Sequence, residues 1–277
     1  MVHLSPFRYP GGKSWLAPEI VKIIEQRPLP VLKFVEPFCG GASVGLAVAH
    51  ARLAEKVILS DMDPKIHAVW AVIFGPGDPS ELLVRRILDF KFTRENVERV
   101  LSETPDTMFD LAFQTIIRNR AARGGVMAQG AGLLRDGEGR RGFACRWYPK
   151  TLANRIRACA ALRERVVAYS SSFETLLSMH MSIRWGFSPH DVWFIDPPYS
   201  VGQRAPGRRL YDYHEVDYDR LFKRVAGLPG LSLMTVQDTA QTRSLAKRYG
   251  FSVNSLSMFT AQNVQKKELL LVLDNGL

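Results

Sequence analysis

The sequence predicts an α/β protein built on a doubly wound sheet, with a mostly helical insertion in the middle of the chain. Seven short apolar runs, rich in β-branched residues, predict seven strands. Several of these runs are continuous rather than alternating, which is typical of parallel strands that helices cover on both faces. Amphipathic stretches separate the runs near both ends of the chain, whereas the middle has helical stretches but no convincing pair of strands.

The individual elements follow from these patterns. Strands are expected at Val31 to Val35, Val57 to Leu59, Val166 to Tyr169, Val192 to Ile195, Leu231 to Val236, Phe251 to Val253 and Leu269 to Leu273. Helices between them are expected at Trp15 to Ile24, Ser43 to Leu53, Pro64 to Ile73, Asp219 to Val225 and Thr239 to Tyr249. Asp238 is the candidate N-cap of the last helix, because its carboxylate can accept a hydrogen bond from the first turn.

The middle of the chain predicts an inserted subdomain. Its helical stretches are Glu81 to Phe90, Arg94 to Leu101 and Met108 to Arg120. The loop that follows, between Arg123 and Arg146, holds seven glycines, which is too many for a regular element. The chain is therefore divided into a first part of the sheet domain at 1–68, an insertion at 69–157 and a second part at 158–277.

The positive charge of the protein is concentrated in one segment. The net charge is +10, and residues 118–165 alone hold twelve Lys or Arg and three acids, whereas the other 229 residues hold 25 bases and 24 acids. A local excess of this kind favours a surface that binds a polyanion. A solvated basic helix face is the alternative interpretation.

Cysteine usage and the start of the chain bear on the compartment. Cys39, Cys145 and Cys159 are an odd number without CxxC spacing, so we expect neither a disulfide framework nor a zinc site, and no metal elsewhere. The N-terminus lacks a basic region followed by an apolar run, and no stretch reaches ~18 uninterrupted apolar residues. These features predict a cytoplasmic protein without a membrane span.

The strongest chemical signal is Asp196-Pro197-Pro198-Tyr199, which directly follows the apolar run Val192 to Ile195. In open α/β sheets ligands bind beyond the carboxyl ends of strands. The carboxylate of Asp196 and the carbonyl of Pro197 can accept both hydrogens of an amino group whose lone pair is delocalised into a ring. The prolines fix φ and make a rigid ledge, and Tyr199 offers a face for an extruded base. A proline turn after a core strand is the structural alternative.

A second signal is the segment Phe34 to Ser43, in which a strand leads through Gly40 and Gly41 into a helix. Adjacent glycines let the backbone approach a ligand closely, and the helix start offers free amide donors. Asp61 ends the next strand, where a carboxylate can accept hydrogen bonds from ribose hydroxyls. A dinucleotide site could use the same geometry, but the full G-x-G-x-x-G spacing is missing.

A third signal is Phe7 to Lys13, where two glycines and a lysine precede the first helix. Such a corner can bind an anion, and Lys13 can neutralise the carboxylate of a methionine moiety. The segment is not a P-loop, because the first glycine of G-x-x-x-x-G-K-[ST] would fall on Phe7.

These three sites, in this order and across nearly the whole chain, resemble the Dam-like family of DNA adenine methyltransferases, which carry a DPPY motif. Further matches are Leu59 to Asp63, the pair Asn119-Arg120, Thr235 to Thr239 and Lys266 to Leu270. The resemblance implies a seven-stranded, Rossmann-like methyltransferase sheet whose insertion at 69–157 is a target-recognition subdomain. It also implies S-adenosylmethionine as cofactor and double-stranded DNA as partner, in a bacterial, archaeal or phage setting, with a cognate restriction endonuclease as a candidate second partner.

By the same resemblance the enzyme transfers a methyl group to the exocyclic 6-amino group of adenine at a specific site, by base flipping and direct in-line transfer. The implied catalytic residues are Asp196, Pro197, Pro198 and Tyr199. The implied cofactor contacts are Tyr9, Gly11, Gly12, Lys13, Glu36, Phe38, Gly40, Asp61 and Asp196. The resemblance implies Asn119 and Arg120 as DNA contacts, and the basic loop adds Arg123, Arg135, Arg140, Arg141 and Arg146 as candidate contacts of the phosphates.

Some features of the sequence depart from the family pattern. Tyr9 stands where relatives often have Trp, which preserves an aromatic surface for the cofactor adenine. After Arg120 this chain continues with two alanines, an arginine and two glycines, where relatives place aromatic residues. The DNA recognition sequence therefore does not transfer to this chain.

Other functions stay open at this point. Methylation of the cytosine amino group also requires acceptors for the hydrogens of an amino group whose lone pair is delocalised. Such enzymes, however, more often have Ser where this chain has Asp196. Methylation of the cytosine ring carbon is disfavoured, because its Cys nucleophile typically follows Pro and here Phe38 precedes Cys39. RNA is an alternative substrate, and a catalytically idle DNA-binding module with this fold is an alternative of another class.

Overall fold

The computed structural model describes residues 3–9, 11–127, 131–135, 142–182, 186–199, 215–259 and 265–276. Seven strands lie within these ranges: β1 (Val31–Glu36), β2 (Ala54–Asp61), β3 (Val166–Ser170), β4 (Val192–Ile195), β5 (Leu231–Gln237), β6 (Ser252–Phe259) and β7 (Gln265–Asp274). They form one sheet in the order β3-β2-β1-β4-β5-β7-β6. The predicted α/β fold with a seven-stranded, Rossmann-like sheet is therefore confirmed.

The sheet is parallel except for β7, which pairs antiparallel with both β5 and β6. The strand order reverses at β1, which pairs with β2 on one side and with β4 on the other. Ligand crevices of open α/β sheets form at such a reversal, beyond the carboxyl ends of the strands. Glu36, Asp61 and Asp196 stand at or directly after the ends of β1, β2 and β4, so the topology brings these three acids to one edge.

Ten helices occur in the described ranges: α1 (Ala17–Glu25), α2 (Ser43–His50), α3 (Pro64–Phe74), α4 (Pro79–Asp89), α5 (Arg94–Ser102), α6 (Met108–Ala121), α7 (Pro149–Ala160), α8 (Phe173–Ser182), α9 (Tyr218–Ala226) and α10 (Ala240–Arg248). Short 3-10 turns lie at Arg123–Gly125 and Gly142–Arg146. Among the described helices, none combines the length and apolar character needed to cross a membrane.

Two hydrophobic clusters cover the two faces of the sheet. Because side chains alternate along a strand, Phe34 belongs to one cluster and its neighbour Val35 to the other. The first face packs against α1 to α7, whereas the second packs against α8, α9 and α10. The inserted helices thus bury their apolar residues in the same core as the sheet, as Leu83 of α4 and Ile116 of α6 illustrate. The division at 69 and 157 stays a prediction.

All seven predicted strands are present, and the strand end that lies furthest from its predicted position is the C-terminal end of β6. Its prediction covered only Phe251 to Val253, but the strand continues to Phe259 along β7. The extension begins with the polar, exposed residues Asn254 and Ser255, which interrupt the apolar pattern directly after Val253. The helices α7 and α8 were not predicted.

The predicted N-cap of α10 is wrong. Thr239, not Asp238, caps the helix: its hydroxyl accepts from the amide of Thr242, and the Thr242 hydroxyl accepts from the amide of Thr239. Asp238 instead forms a bidentate pair with Arg243, at 2.6 and 2.9 Å. Bidentate pairing with arginine draws this carboxylate away from the helix amides.

Candidate active site

The carboxylate of Asp196 is held by two donors on the same oxygen. Lys13 Nζ lies 2.9 Å from Oδ1, and the hydroxyl of Thr235 donates to Oδ1 at 2.6 Å. Within the described residues, the second oxygen Oδ2 accepts no hydrogen bond, and the side chain is 19% exposed. One oxygen is therefore fixed by the protein, and the other is available to a ligand.

Lys13 contacts the predicted catalytic residues directly. Its side chain is only 5% exposed, and its ammonium lies 3.7 Å from Glu268 Oε2 and 5.0 Å from the centre of the Tyr199 ring. Nζ also donates to the carbonyl of Gly11 at 2.9 Å. A buried ammonium requires charged or carbonyl partners. The structure thus brings Lys13, predicted as a contact of the cofactor carboxylate, to the carboxylate of Asp196.

The Asp196 to Tyr199 motif after β4 is anchored by a hydrogen bond at Pro198. Tyr218 at the start of α9 donates a hydrogen bond to the carbonyl of Pro198 at 3.1 Å. Burial, and then the negative charges of Asp196 and Glu268, raise the pKa of Tyr199 well above its usual range. Tyr199 therefore stays a neutral phenol ring beside the carboxylate.

The glycine turn after β1 is shaped by Tyr9. Gly40 has φ +44°, and a Cβ there would lie 2.5 Å from Cε1 of the Tyr9 ring. Gly40 donates its amide to Asp61 Oδ2 at 2.9 Å, and its carbonyl accepts from the indole of Trp70 at 2.9 Å. The absence of a side chain at Gly40 is what lets the Tyr9 ring lie directly against this turn.

Two acids beside this turn have raised pKa values. Glu36 is 3% exposed, and burial raises its pKa well above the usual range although the amide of Gly45 donates to it at 2.8 Å. Burial also raises the pKa of Asp61 to about 6, against the lowering effect of the amides of Asp63 and Gly40. Burial therefore favours the protonated carboxyl of Glu36, whereas the pKa of Asp61 is about 6.

The remaining predicted cofactor contacts lie around the same turns. Phe38 stacks on Phe173 of α8 with ring centres 6.0 Å apart. Gly12 donates its amide to the carbonyl of Tyr9 at 3.1 Å and thereby closes the loop before α1. In the part of the chain that the structure describes, no group of three or more His, Cys, Asp or Glu could hold a metal ion.

Asn119 and Arg120, predicted as DNA contacts, are buried in this structure. The Asn119 amide accepts from the amide of Arg8 at 2.9 Å and donates to the carbonyls of Arg8 at 3.0 Å and Gly125 at 3.1 Å. Arg120 donates to the carbonyl of Pro6. Their side chains are 0% and 6% exposed, because they fasten the N-terminal loop to the end of α6. They position that loop and are almost completely shielded from solvent.

Four arginines cluster where the N-terminal loop meets the insertion: Arg8, Arg120, Arg146 and Arg155. Burial, and then the charges of Arg8 and Arg155, lower the pKa of Arg120 to about 9. Burial and then Arg146 also lower the pKa of Arg8. Within the described ranges none of the four pairs with a carboxylate. Among the residues that the structure describes, no carboxylate therefore compensates the positive charge of this arginine cluster.

A cleft of about 460 Å³ opens beside the arginine cluster. Its wall includes Arg8, Tyr9, Ser43, Gly124 and Arg155. Two further predicted DNA contacts, Arg123 and Arg135, are exposed on the same insertion. Arg140 and Arg141 lie outside the described residues.

A family model shows which known proteins part of this chain resembles. Residues 9–99 match the model of a family described as D12 class N6 adenine-specific DNA methyltransferase. No protein of curated function matches the sequence. The family match confirms the predicted resemblance, the enzyme class and its cofactor, S-adenosylmethionine.

Solved structures of methyltransferases are similar over most of the chain. The rRNA methyltransferase aviRa from Streptomyces viridochromogenes is 18% identical, with a TM-score of 0.42 over 97% of this chain and 87% of that one. Precorrin-6y C5,15-methyltransferase from Geobacter metallireducens is 9% identical, with a TM-score of 0.38 over 92% and 86%. An rRNA methylase from Streptococcus thermophilus is also 9% identical, with a TM-score of 0.35 over 92% and 94%.

Proposed function

We propose that this methyltransferase acts on the exocyclic 6-amino group of adenine in duplex DNA. The observation that carries the proposal is the state of the Asp196 carboxylate. Its Oδ1 is bound by Lys13 and Thr235, whereas its Oδ2 is available to a ligand. The family match over residues 9–99 supports both adenine and DNA as the target.

The residues around the glycine turn fit S-adenosylmethionine. The Tyr9 ring lies where a side chain on Gly40 would stand, so the turn offers an aromatic surface and a close backbone approach. The partly buried Asp61 at the end of β2 offers acceptors for ribose hydroxyls. When bound, the cofactor supplies an electrophilic methyl group.

We propose that the target adenine leaves the duplex and stacks on Tyr199. Oδ2 of Asp196 and the carbonyl of Pro197 each accept one amino hydrogen, which draws the nitrogen lone pair out of conjugation with the ring. The nitrogen, oriented in this way, would accept the methyl group that bound S-adenosylmethionine supplies, with the thioether as leaving group, and Oδ2 is placed to accept the proton that the amine loses. No covalent bond to the enzyme forms, and orientation supplies much of the acceleration, ~7 to 11 kcal/mol in favourable cases.

DNA co-expressed with the protein gives the direct test of this function. Mapping every modified base in that DNA should reveal N6-methyladenine in one short sequence. Modified cytosine amino groups, or methylation of RNA alone, would contradict the proposal. The mapped sequence would also define the specificity of a cognate restriction endonuclease, which we propose as a further partner.

We expect the affinity for S-adenosylmethionine to fall as the pH falls through about 6, where Asp61 titrates. An ionised carboxylate is a stronger acceptor than a carboxyl group, so protonation should weaken binding roughly tenfold. The pKa of Asp61 is higher in the folded state than in the unfolded state. Its contribution to the free energy of unfolding therefore decreases as pH rises from about 4 to 6. Its protonation therefore favours the fold, and unfolding through this group cannot explain the weaker binding.

Calorimetric titration of the wild type and of Asp61→Asn checks this expectation. The variant should bind weakly, with no dependence on pH in this range, because its amide does not titrate. A wild-type affinity that is constant from about pH 7.5 to 5 would contradict the assignment of Asp61 to the ribose.

The accessible members of the arginine cluster, Arg8, Arg146 and Arg155, form the proposed binding surface for the DNA backbone together with the exposed Arg123 and Arg135. We expect Arg123→Gln with Arg135→Gln to weaken binding to all DNA sequences. The slope of log affinity against log salt should become shallower by about 0.9 per lost phosphate contact, or roughly 1.8 for the pair. Binding to labelled duplexes at several salt concentrations measures this slope.

Arg157 and Arg163 provide the matched control for this pair. They lie at 2.8 Å from Glu81 and 2.6 Å from Asp78, so both are directed toward the start of α4 and not toward the cleft beside the arginine cluster. Replacing both with Gln removes the same charge, but should leave the salt slope unchanged. Equal slopes for the two double variants would show that Arg123 and Arg135 belong to a solvated surface and contact no phosphate.

A further inference from the structure

Thr235 stands beside the proposed catalytic carboxylate because of the strand register. The strands β4 and β5 pair in parallel with Ile195 opposite Met234, so the next residues, Asp196 and Thr235, lie side by side. Thr235 is 0% exposed. Its hydroxyl donates to Asp196 Oδ1 at 2.6 Å, which is short for such a bond and typical of a charged acceptor.

Lys13 alone would orient this carboxylate poorly. An ammonium on a four-carbon stem is a point charge that a carboxylate can approach from many directions. It also has a second carboxylate within reach, since Glu268 Oε2 lies 3.7 Å from Nζ. Thr235 is better suited to orient the carboxylate than Lys13 is. Its branched side chain is stiff at χ1, and its backbone is fixed in β5 between two neighbouring strands.

We propose that Thr235 is a positioning residue for methyl transfer. Its hydrogen bond, with that of Lys13, occupies Oδ1 and fixes the rotation of the carboxylate, so that Oδ2 faces the amino group of the target. This inference rests on the proposed function, and it gives a role to a residue that touches neither base nor cofactor.

The substitution Thr235→Val tests this role, because valine keeps the shape of threonine and removes the donor. We expect kcat to fall about 10- to 100-fold with KM for DNA unchanged, since a hydrogen bond to a charged group and a small misplacement of a catalytic group have effects of this order. Losing a donor disfavours the ionised carboxylate, so the acid limb of the kcat–pH profile should move to higher pH. Thr235→Ser keeps the hydroxyl and should restore kcat to within about threefold.

Ser232 provides the matched control on the same strand. It is also 0% exposed, and its hydroxyl has no hydrogen-bond partner within the described residues. Ser232→Ala should therefore leave kcat and the pH profile as in the wild type. Thermal unfolding of all three variants would separate a change in the strand from a change in the orientation of Asp196.

Two results would overturn the inference. One is a folded Thr235→Val enzyme with the wild-type kcat and acid limb; the other is a loss of kcat in Ser232→Ala equal to that in Thr235→Val. In both cases an active wild type would leave the proposed function intact. A wild type that methylates no adenine in the same assay would overturn both.

Discussion

Replacing Asp196 with alanine is expected to reduce adenine methylation by roughly 1000-fold or more. Losing a single preorganised hydrogen-bonding group from an active site costs about 100- to 1000-fold in kcat, and Asp196 supplies a charged one. The amino group would keep only the carbonyl of Pro197 as an acceptor, so its lone pair would stay conjugated with the ring. Transfer of a labelled methyl group to duplex DNA under single-turnover conditions measures the loss.

A change in stability must be separated from this loss of chemistry. Asp196 is 19% exposed and its partner Lys13 5%, so removing one member of the pair should also destabilise the fold, by up to ~3–5 kcal/mol. Asp274 and Arg27 form a similar pair, at 2.6 Å with 23% and 4% exposure, near the opposite end of the sheet. Asp274→Ala should lose comparable stability and retain methylation. Near-normal methylation by Asp196→Ala would contradict the proposed mechanism.

The second large effect is expected at Gly40, where alanine should weaken binding of S-adenosylmethionine at least tenfold. A Cβ would approach Cε1 of Tyr9 to 2.5 Å and Cζ to 2.7 Å, so the ring must leave the turn. The positive φ of 44° adds backbone strain of ~1–2 kcal/mol. The shift in melting temperature with and without cofactor measures the effect, since a ligand at 100 times its Kd stabilises the folded state by ~2.7 kcal/mol.

The substitution Gly77→Ala is the control that separates backbone strain from the clash with the Tyr9 ring. Gly77 has φ +76°, and a Cβ there would meet nothing within 4 Å. Gly77→Ala should therefore lower the melting temperature through backbone strain and leave the cofactor-induced shift unchanged. If Gly40→Ala kept the full cofactor-induced shift, the Tyr9 surface would not be part of the cofactor site.

The sequence predicts the sheet well because its signals are local. Continuous apolar runs such as Val192 to Ile195 identify buried parallel strands, and the Asp196 motif directly follows one of them. The missed helices are less distinct: α7 carries several charged residues and follows a glycine-rich loop, and α8 has only a short amphipathic pattern. Local periodicity does not separate such segments from loops.

The contacts within the site depend on tertiary pairing, which a single sequence does not encode in any local pattern. Thr235 is separated from Asp196 by 39 positions and comes beside it only through the pairing of β4 with β5. Similarly, Asn119 was predicted to contact DNA from its place in a motif, whereas its burial against the N-terminal loop follows from packing. Residue types suggested a functional role, and the three-dimensional neighbours determine which role is available.

The fastening of the N-terminal loop by Asn119 has a consequence for folding during synthesis. The side-chain amide of Asn119 binds the backbone of Arg8 across 111 positions of sequence, and the ion pair of Lys13 with Asp196 spans a still larger sequence separation. Contacts of such high contact order form late, because the chain must first close a long loop. Arg8 and Lys13 are thus among the last residues to reach their native places, and catalytic competence arises only after the chain through Asp196 and Thr235 has emerged from the ribosome.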